Sequence, residues 1–305
     1  MAPTATTVTY ERAPEIAQKP HKHGAEDQTP LQAVCHGEQV LPAVPTFTCK
    51  HQERRWILEH MAAVFRHWAR IGFNEGLSGH ISIRDPEHED AIWMNPLGKH
   101  FGLMTAGDMI CLSVEDGKVI GGSRARPANA AGFLIHSAIH KARPDVKAIC
   151  HAHTLAGRAW AAFGKPLDMI TQDVCTFFNH LAVYDDYGGI VFISDEGQHI
   201  AKALGPKNKA AILMSHGLIT VGSTVDEAAF LLSLLDNSCD IQLRVEAAAA
   251  GGLKKVIISD EEAAYNFKMA SDPETLYLEW QTEYDLEDEL SAGAFKKGSE
   301  LQSLD

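Results

Sequence analysis

The chain has 305 residues, 45% of them hydrophobic and 22% charged, which is the composition of a globular protein. Its formal net charge of −13 removes the basic surface that a nucleic-acid-binding protein needs. No apolar stretch approaches the roughly 18 residues that cross a bilayer, and no basic head precedes an apolar block. Six cysteines show no C-x-x-C spacing. We therefore expect a cytoplasmic protein in a reducing compartment, with no nucleic-acid or membrane partner.

Three regions follow from the distribution of polar and apolar residues. Residues 1–48 are rich in Pro, Thr, Ala and Gln without a period, and we expect an irregular N-terminal arm. Residues 49–252 carry every strongly patterned segment and form the predicted central domain. Residues 253–305 form a predicted helical C-terminal extension, with a mobile tail from Ser291.

Helical and alternating periods give the elements of the central domain. A meander of short strands comes first and strands mixed with helices come later, so we predict a three-layer α/β/α sandwich around a mostly antiparallel sheet. The first predicted elements are a helix over Lys50–Ile71, a strand within Gly76–Pro86, and strands at Ala91–Met94, Met109–Ser113 and Lys118–Ile120. They are followed by a helix over Asn129–Lys141 opened by Pro127, a strand ending at His151, a helix over Ala156–Phe163 and a loop-rich region over Gly164–Gly189. The last are a strand at Ile190–Ile193, a helix capped by Ser194, a strand within Ala210–Val221, a helix from Thr224 to Ala250 with a capping box at Thr224–Glu227, and two acidic helices between Ser259 and Leu290.

The pair His151 and His153 is the strongest chemical signal in the chain. An apolar run leads into it, and alternate residues of a strand share one face, so both imidazoles can point at one ion. His216 ends a second apolar run, and we expect Gly217 to let the backbone turn there. Zinc takes three or four nitrogen, sulfur or oxygen ligands and keeps one position open when it is catalytic. These three histidines are therefore the predicted metal ligands; the alternative for each is a hydrogen-bonded core histidine.

Taken together, the motifs resemble the class II aldolase/adducin family over about residues 52–250. That family includes fuculose-phosphate-type aldolases, ribulose-phosphate 4-epimerases, related dehydratases and decarboxylases, and the adducin head domain. The resemblance implies a divalent metal on His151, His153 and His216, usually zinc with manganese or cobalt as alternatives. It also implies a homotetramer with active sites at subunit interfaces. It is carried by Gly79–Arg84, Asn95–Gly98, the helix that reaches His136, His151–His153, and Ser215–Ile219 followed by Thr224–Ala228.

The departures from the family pattern bear on the substrate. The glutamate that the sugar-phosphate aldolases use as metal ligand or base corresponds to Gly132, and their phosphate-binding serines correspond to Ala130 and Ala131. Their phosphate-binding asparagine corresponds to His80. The sequence is thus closer to the adducin-like branch, and we expect a substrate without a phosphate.

The residues permit a specific class of chemistry. Three neutral imidazoles would leave a bound cation its full charge and an open position for a hydroxy or oxo acid. We therefore predict a metal-dependent lyase that performs aldol chemistry or decarboxylation on a small oxygenated compound; the alternatives are a non-catalytic adducin-like scaffold and a metal-dependent epimerase or dehydratase.

Further candidates follow from residue type and from the family's pattern. His80 and His136 are the predicted catalytic groups for proton transfer, with His136 as an alternative metal ligand. Asn95 and Gly98 are expected in the ligand pocket. Gln172 and Asp173 occupy the loop where the aldolases place a tyrosine acid that serves a neighbouring subunit.

Overall fold

The computed structural model describes residues 23–24, 27–189 and 194–304. Within them, eight strands form one sheet in the order β4-β3-β2-β1-β5-β8-β7-β6, and every neighbouring pair is antiparallel except β6 with β7. The strands are β1 (His80–Arg84), β2 (Ala91–Met94), β3 (Ile110–Ser113), β4 (Val119–Gly122), β5 (Ala148–Ala152), β6 (Leu181–Tyr184), β7 (Ala210–Leu213) and β8 (Gly217–Gly222).

Helices cover both faces of the sheet. α3 and α5 pack on one face, and α2, α4, α6 and α8 pack on the other. The prediction of a three-layer α/β/α sandwich with a mostly antiparallel sheet is confirmed. The helices are α1 (Pro30–Val34), α2 (Lys50–Arg70), α3 (Ala130–Ala142), α4 (Leu155–Ala161), α5 (Ser194–Leu204), α6 (Val225–Ala250), α7 (Asp260–Ala270) and α8 (Pro273–Ser291).

Strand β5 shows why the central strands are continuously apolar. Ile149 lies in the core under α3 and α5, whereas Cys150 lies in the core under α2 and α6. Both faces of the strand are buried, so neither alternate set of side chains can be polar without a partner. The same alternation places His151 on the α3 face of the sheet.

The region around His216 differs from the prediction of one strand. The apolar run forms a hairpin, in which β7 ends at Leu213 and β8 begins at Gly217. Ser215, with φ of 57°, adopts the left-handed conformation at this turn, whereas Gly217 lies in β8. The assignment of the turn to Gly217 is therefore wrong, because the backbone reverses two residues earlier.

Other boundaries needed correction for local reasons. The loop-rich region after α4 contains β6, whose parallel pairing with β7 is a long-range contact. The strand expected at 190–193 lies outside the described residues. Asn129, not Pro127, caps α3 by accepting the Gly132 amide at 3.0 Å. Thr224 caps α6, but the Glu227 carboxylate accepts the Ser223 amide at 2.6 Å, one residue earlier than a capping box requires.

The two chain extensions contain more order than expected. The N-terminal arm includes α1, and the two acidic helices are α7 and α8. The tail after Ser291 is packed, which corrects the expectation of a mobile segment: Phe295 is fully buried, and Leu304 bridges Gly121 at the edge strand β4. Among the described residues, no helix combines the length and the apolar character needed to cross a membrane.

Candidate metal centre

Three histidines from two segments, β5 and the hairpin of β7 and β8, meet at one end of the sheet. His151 is in β5, His153 follows that strand directly, and His216 is in the turn between β7 and β8. Their ring centroids are 4.8 to 5.1 Å apart, and one ring nitrogen from each lies within 4.8 Å of the others. The antiparallel pairing of β5 with β8 produces this proximity, because it brings the start of β8 beside the end of β5. The strand-face prediction for His151 and His153 agrees with this geometry.

The local backbone favours metal-binding tautomers. The Nδ1 atom of His151 lies 2.8 Å from the Leu218 carbonyl oxygen, which can only accept, so the proton belongs on Nδ1 and Nε2 keeps its lone pair. Gly217 favours the close approach of β8 to the end of β5, since a Cβ there would lie only 3.1 Å from the Ala152 carbonyl oxygen.

All three rings are held neutral. Burial lowers the pKa of His151 well below its ordinary value, and neighbouring histidines lower it further. Burial, followed by His153, lowers the pKa of His216 to about 4. Burial, followed by the Arg158 charge, lowers the pKa of His153, which Glu75 partly offsets. Neutral imidazole is the form that ligates a metal, so the cluster is ready to bind near neutral pH.

The three histidines open onto a cavity of about 540 Å³, a size that accommodates a small organic ligand. Its wall is formed by the start of β1, the first turns of α3, the turn before β8 and residues near Tyr187. Arg158, which sequence reasoning did not single out, is its one cationic lining residue in the described part of the chain, and it forms a two-pronged ion pair with Glu75. An Arg and a Glu 83 positions apart carry no local pattern that would have revealed the pair.

His80 lines this cavity beside the cluster. Gly79, with φ of +95°, turns the chain into β1, and a Cβ there would lie 3.0 Å from the Phe101 ring. The ring of His80 stacks on that of His151 with centroids 4.7 Å apart. A Cβ at Gly132 would lie 2.6 Å from Cδ2 of His80. The His80 ring therefore fills the space into which a side chain at position 132 would project.

His136 does not reach the cavity, contrary to the expectation that it transfers protons or binds metal directly. Its Nε2 lies 2.8 Å from Nδ1 of His80, and its Nδ1 lies 2.7 Å from the Ser82 hydroxyl. The ring is fully buried between α3, to which it belongs, and β1. Because both nitrogens are engaged within the protein, neither is available to an ion or a substrate.

Asn95 and Gly98 also lie away from this cavity. The Asn95 side-chain oxygen accepts the Ile81 amide at 3.1 Å and is buried, so it ties β2 to β1. Gly98 lines a separate depression with Lys99 and Arg126, where Arg126 donates to the Gly98 carbonyl at 2.7 Å. Neither residue lines the histidine cavity as predicted, because Asn95 is buried against β1 and Gly98 faces the second depression.

Gln172 and Asp173 are exposed and lie at the start of a 3-10 helix (Asp173–Phe177) that packs against α7. They do not line the cavity of their own chain. Any contact with substrate would have to occur in a neighbouring copy.

The donor set fits a divalent cation with a preference for nitrogen. Within the described residues, only His151, His153 and His216 form a group of three potential ligands whose ligand atoms lie within 4.8 Å of one another. Three neutral imidazoles are suitable ligands for such an ion, and they leave coordination positions for a ligand in the cavity.

Comparison with known proteins agrees with this architecture. A family model described as Class II Aldolase and Adducin N-terminal domain matches residues 59–243. The 4-hydroxy-3-prenylphenylpyruvate oxygenase/4-hydroxy-3-prenylbenzoate synthase of Streptomyces roseochromogenus subsp. oscitans is 42% identical over 72% of this chain and 78% of that protein. Decarboxylase NovR of Streptomyces niveus is 42% identical over 70% of this chain and 78% of that protein.

A solved structure supports the same assignment. The L-fuculose 1-phosphate aldolase from Glaciozyma antarctica PI12 superposes with a TM-score of 0.75 and 39% sequence identity, over 83% of this chain and 96% of that one. The family match spans more than half of the chain and contains all three clustered histidines. The chain belongs to the class II aldolase and adducin family.

Proposed function

We propose that this protein is a divalent-metal-dependent lyase that makes or breaks a C–C bond in a small, non-phosphorylated oxo or hydroxy acid. The observation that carries the proposal is the cluster of His151, His153 and His216, which faces a cavity without any carboxylate in the group. A scaffold gains nothing from three neutral imidazoles around an open space, since the ring nitrogens that face one another would be more stable with hydrogen-bonding partners.

The three histidines would hold the ion through the nitrogens that face one another, with zinc the first candidate and manganese or cobalt the next. A cation bound there would act as a Lewis acid toward a carbonyl or hydroxyl oxygen of the substrate. The Leu218 carbonyl keeps the His151 proton on Nδ1, away from the ion.

Proton transfer is assigned to Nε2 of His80. Nδ1 of that ring is occupied by His136, so Nε2 is the nitrogen left for a ligand in the cavity that His80 lines. Retro-aldol cleavage requires a group that accepts the proton of the substrate hydroxyl and later returns a proton to carbon. Decarboxylation requires only the second transfer, because loss of CO₂ leaves its electron pair on the carbon.

The cavity wall supports a carboxylate substrate rather than a phosphate ester. The family's phosphate-binding positions are occupied by Ala130, Ala131 and His80, which supply no hydroxyl or amide donor. Arg158 is the lining cation, and its pairing with Glu75 leaves little net charge for a dianion. A monoanionic acid matches this surface better.

We further propose a homotetramer in which a neighbouring chain completes each cavity, so that the exposed Gln172 and Asp173 of one copy approach the substrate of another. Light scattering on the full chain gives the mass of the assembly directly. A monomer at micromolar concentration would contradict this arrangement.

The function is tested by incubating zinc-loaded protein with a panel of 2-oxo, 3-oxo and hydroxy acids and their phosphorylated counterparts. Carbon dioxide release and carbonyl products are both followed, with and without a chelator. We expect chelator-sensitive turnover of a non-phosphorylated acid. Turnover confined to sugar phosphates would contradict the substrate class, and metal binding without turnover of any acid would favour a scaffold.

A second candidate is oxidative cleavage of an aryl oxo acid, which the name of the Streptomyces roseochromogenus relative favours. It differs from the lyase in consuming O₂. Oxygen uptake with iron-loaded protein, in proportion to product, would replace the lyase proposal with this one.

A further inference from the structure

Four buried side chains form a continuous hydrogen-bonded series between β1 and α3, and it begins at the cavity. Nδ1 of His80 lies 2.8 Å from Nε2 of His136, and Nδ1 of His136 lies 2.7 Å from the Ser82 hydroxyl. The same hydroxyl lies 2.8 Å from Nε2 of His140. We call these four residues the histidine chain. None of the four is more than 4% exposed.

The two elements supply the histidine chain by their ordinary periods. His80 and Ser82 are two apart on β1 and share the face toward α3, whereas His136 and His140 are four apart and lie on one side of that helix. Strand and helix residues alternate along the series. Such a series is expensive to bury unless every member has a function or a partner.

The histidine chain has a direction, because each neutral imidazole has one donor and one acceptor nitrogen and the hydroxyl has one proton. In one direction His80 presents a bare Nε2 to the cavity, and in the other it presents an N–H group. Both directions are electrically neutral. The choice is therefore made by whatever lies at the far end, at His140.

The surroundings of His140 select one direction. Burial lowers the pKa of this ring to about 3, with the charges of Arg84 and Lys147 acting the same way, so the ring is neutral. Its Nδ1 is buried and has no hydrogen-bond partner among the described atoms, and the Val146 backbone is the one group that raises the pKa of the ring, as an acceptor beside a protonated nitrogen does. Since Nε2 faces Ser82, a carbonyl acting on the ring favours the proton on Nδ1.

The remaining protons then follow in sequence. Nε2 of His140 accepts from the Ser82 hydroxyl, whose oxygen accepts from Nδ1–H of His136. Nε2 of His136 accepts from Nδ1–H of His80. The series ends with a lone pair on Nε2 of His80.

We propose that His136, Ser82 and His140 are positioning residues that hold His80 as its Nδ1–H tautomer, with the Nε2 lone pair directed to the cavity as a proton acceptor. This inference rests on the proposed function for its catalytic meaning, since it supplies the acceptor that C–C cleavage of a hydroxylated substrate needs. It also assigns Gly132 a role, because any Cβ at that position would displace the ring so held.

The direct test is a nitrogen NMR spectrum of full-length, zinc-loaded protein labelled with ¹⁵N in histidine, in which His80→Gln identifies the His80 signals. We expect a pyrrole-type shift at Nδ1, which carries the proton, and a pyridine-type shift at Nε2, which carries the free lone pair. A proton on Nε2 overturns the proposal. The spectrum reports the His80 tautomer without any substrate, so its result does not depend on whether the protein is a lyase.

Ser82→Ala tests the role of the series. It removes the acceptor for Nδ1–H of His136, so that His136 favours the tautomer protonated on Nε2. That nitrogen then donates to Nδ1 of His80, which moves the His80 proton to Nε2. We expect the His80 shifts to exchange and kcat to fall about tenfold, with KM changed less than about twofold. Ser137→Ala, on α3 but outside the series, is the control, and Ser82→Thr keeps the hydroxyl and restores the wild-type shifts.

A purely structural role predicts a different result. Ser82→Ala would then lower the unfolding midpoint but leave both the His80 tautomer and kcat unchanged. That outcome overturns the proposal. Should Ser82→Ala fail to fold, His140→Gln interrupts the series one step farther from the cavity, and the wild-type spectrum alone still decides the tautomer.

Discussion

Histidines on the two faces of the sheet have opposite surroundings. On the α2 face, His60 is buried with Nδ1 2.6 Å from the Asp226 carboxylate, and its ring stacks on Tyr284 at 4.1 Å. On the α3 face, His153 and His216 have each other and an open cavity, with no carboxylate in their cluster. A histidine paired with a carboxylate fixes the packing of three helices, whereas histidines left to face one another are available to a ligand. The carboxylate partner of His60 therefore distinguishes this structural histidine from the candidate ligands, which have none in their cluster.

The largest expected effect is on the open cluster. His216→Ala removes one of three ligands, and we expect loss of the bound metal and a fall in activity of more than about a thousandfold. His216 is half-buried at a turn, so the fold should persist. Metal analysis and circular dichroism on the same sample check both statements.

The control for that prediction is His199→Ala, which removes an exposed histidine of α5. Its metal content and activity should equal those of the wild type. Retention of metal by His216→Ala itself would show that the ligands have been assigned wrongly.

Asp226→Asn tests the other side of the comparison. Removing the charge that His60 and Gln281 contact should lower the free energy of unfolding by about 3 kcal/mol, since one partner of a buried pair is left without its counterpart. Metal content and kcat should stay at wild-type values. Urea denaturation and metal analysis give the two quantities, and a loss of metal here would erase the distinction between the two faces.

Gly132→Ala sharpens the description of the cavity. The added Cβ would overlap the His80 ring at 2.6 Å, and displacement of a reacting group by about 1 Å costs up to roughly a hundredfold in kcat. Alanine is also the better helix former, by about 1 kcal/mol, so the unfolding midpoint should change little. Wild-type kcat in this variant would mean that the position of His80 does not matter to turnover.

The smallest expected effect is on the pH dependence of stability. The pKa of His140 is about 3 in the folded protein and near 6.5 when unfolded, so the unfolded chain binds the extra proton as pH falls. Stability is full above pH 6.5 and declines below it. Between about pH 6.5 and 5, His140 alone should remove about 2 kcal/mol.

Urea denaturation at pH 7.5 and 5.0 measures that slope. His140→Gln should reduce the loss of stability between these two pH values by about 2 kcal/mol, because glutamine does not titrate, while His199→Gln should leave it unchanged. Equal slopes in wild type and His140→Gln would contradict the neutral, buried state of His140.

Local patterns were sufficient for much of the fold and for part of the site. Alternation along β5 predicted that His151 and His153 share a face, and the helical period predicted α2 to within one residue of its observed end. His216 was predicted as the third ligand from the end of its apolar run, but the hairpin of β7 and β8 that positions it was not, because the apolar residues on both sides of Ser215 were taken as one strand.

Contacts between distant segments could not be read from one sequence. The histidine chain joins β1 to α3 across more than 50 positions, although the spacings of two on the strand and of four on the helix were visible signals. The residue type of Asn95 does not reveal whether its side chain binds a ligand or, as the structure shows, accepts the Ile81 amide. The pairing of Arg158 with Glu75 likewise joins side chains that are 83 positions apart in the chain.

The most direct test of the account is the metal content of untagged, full-length protein purified without chelator. Three neutral imidazoles converging on one point predict about one zinc, manganese or cobalt ion per chain, restored by added zinc after dialysis against a chelator. A content below about 0.2 ion per chain that does not rise when Zn²⁺ or Mn²⁺ is added would contradict the assignment of His151, His153 and His216 as a metal centre.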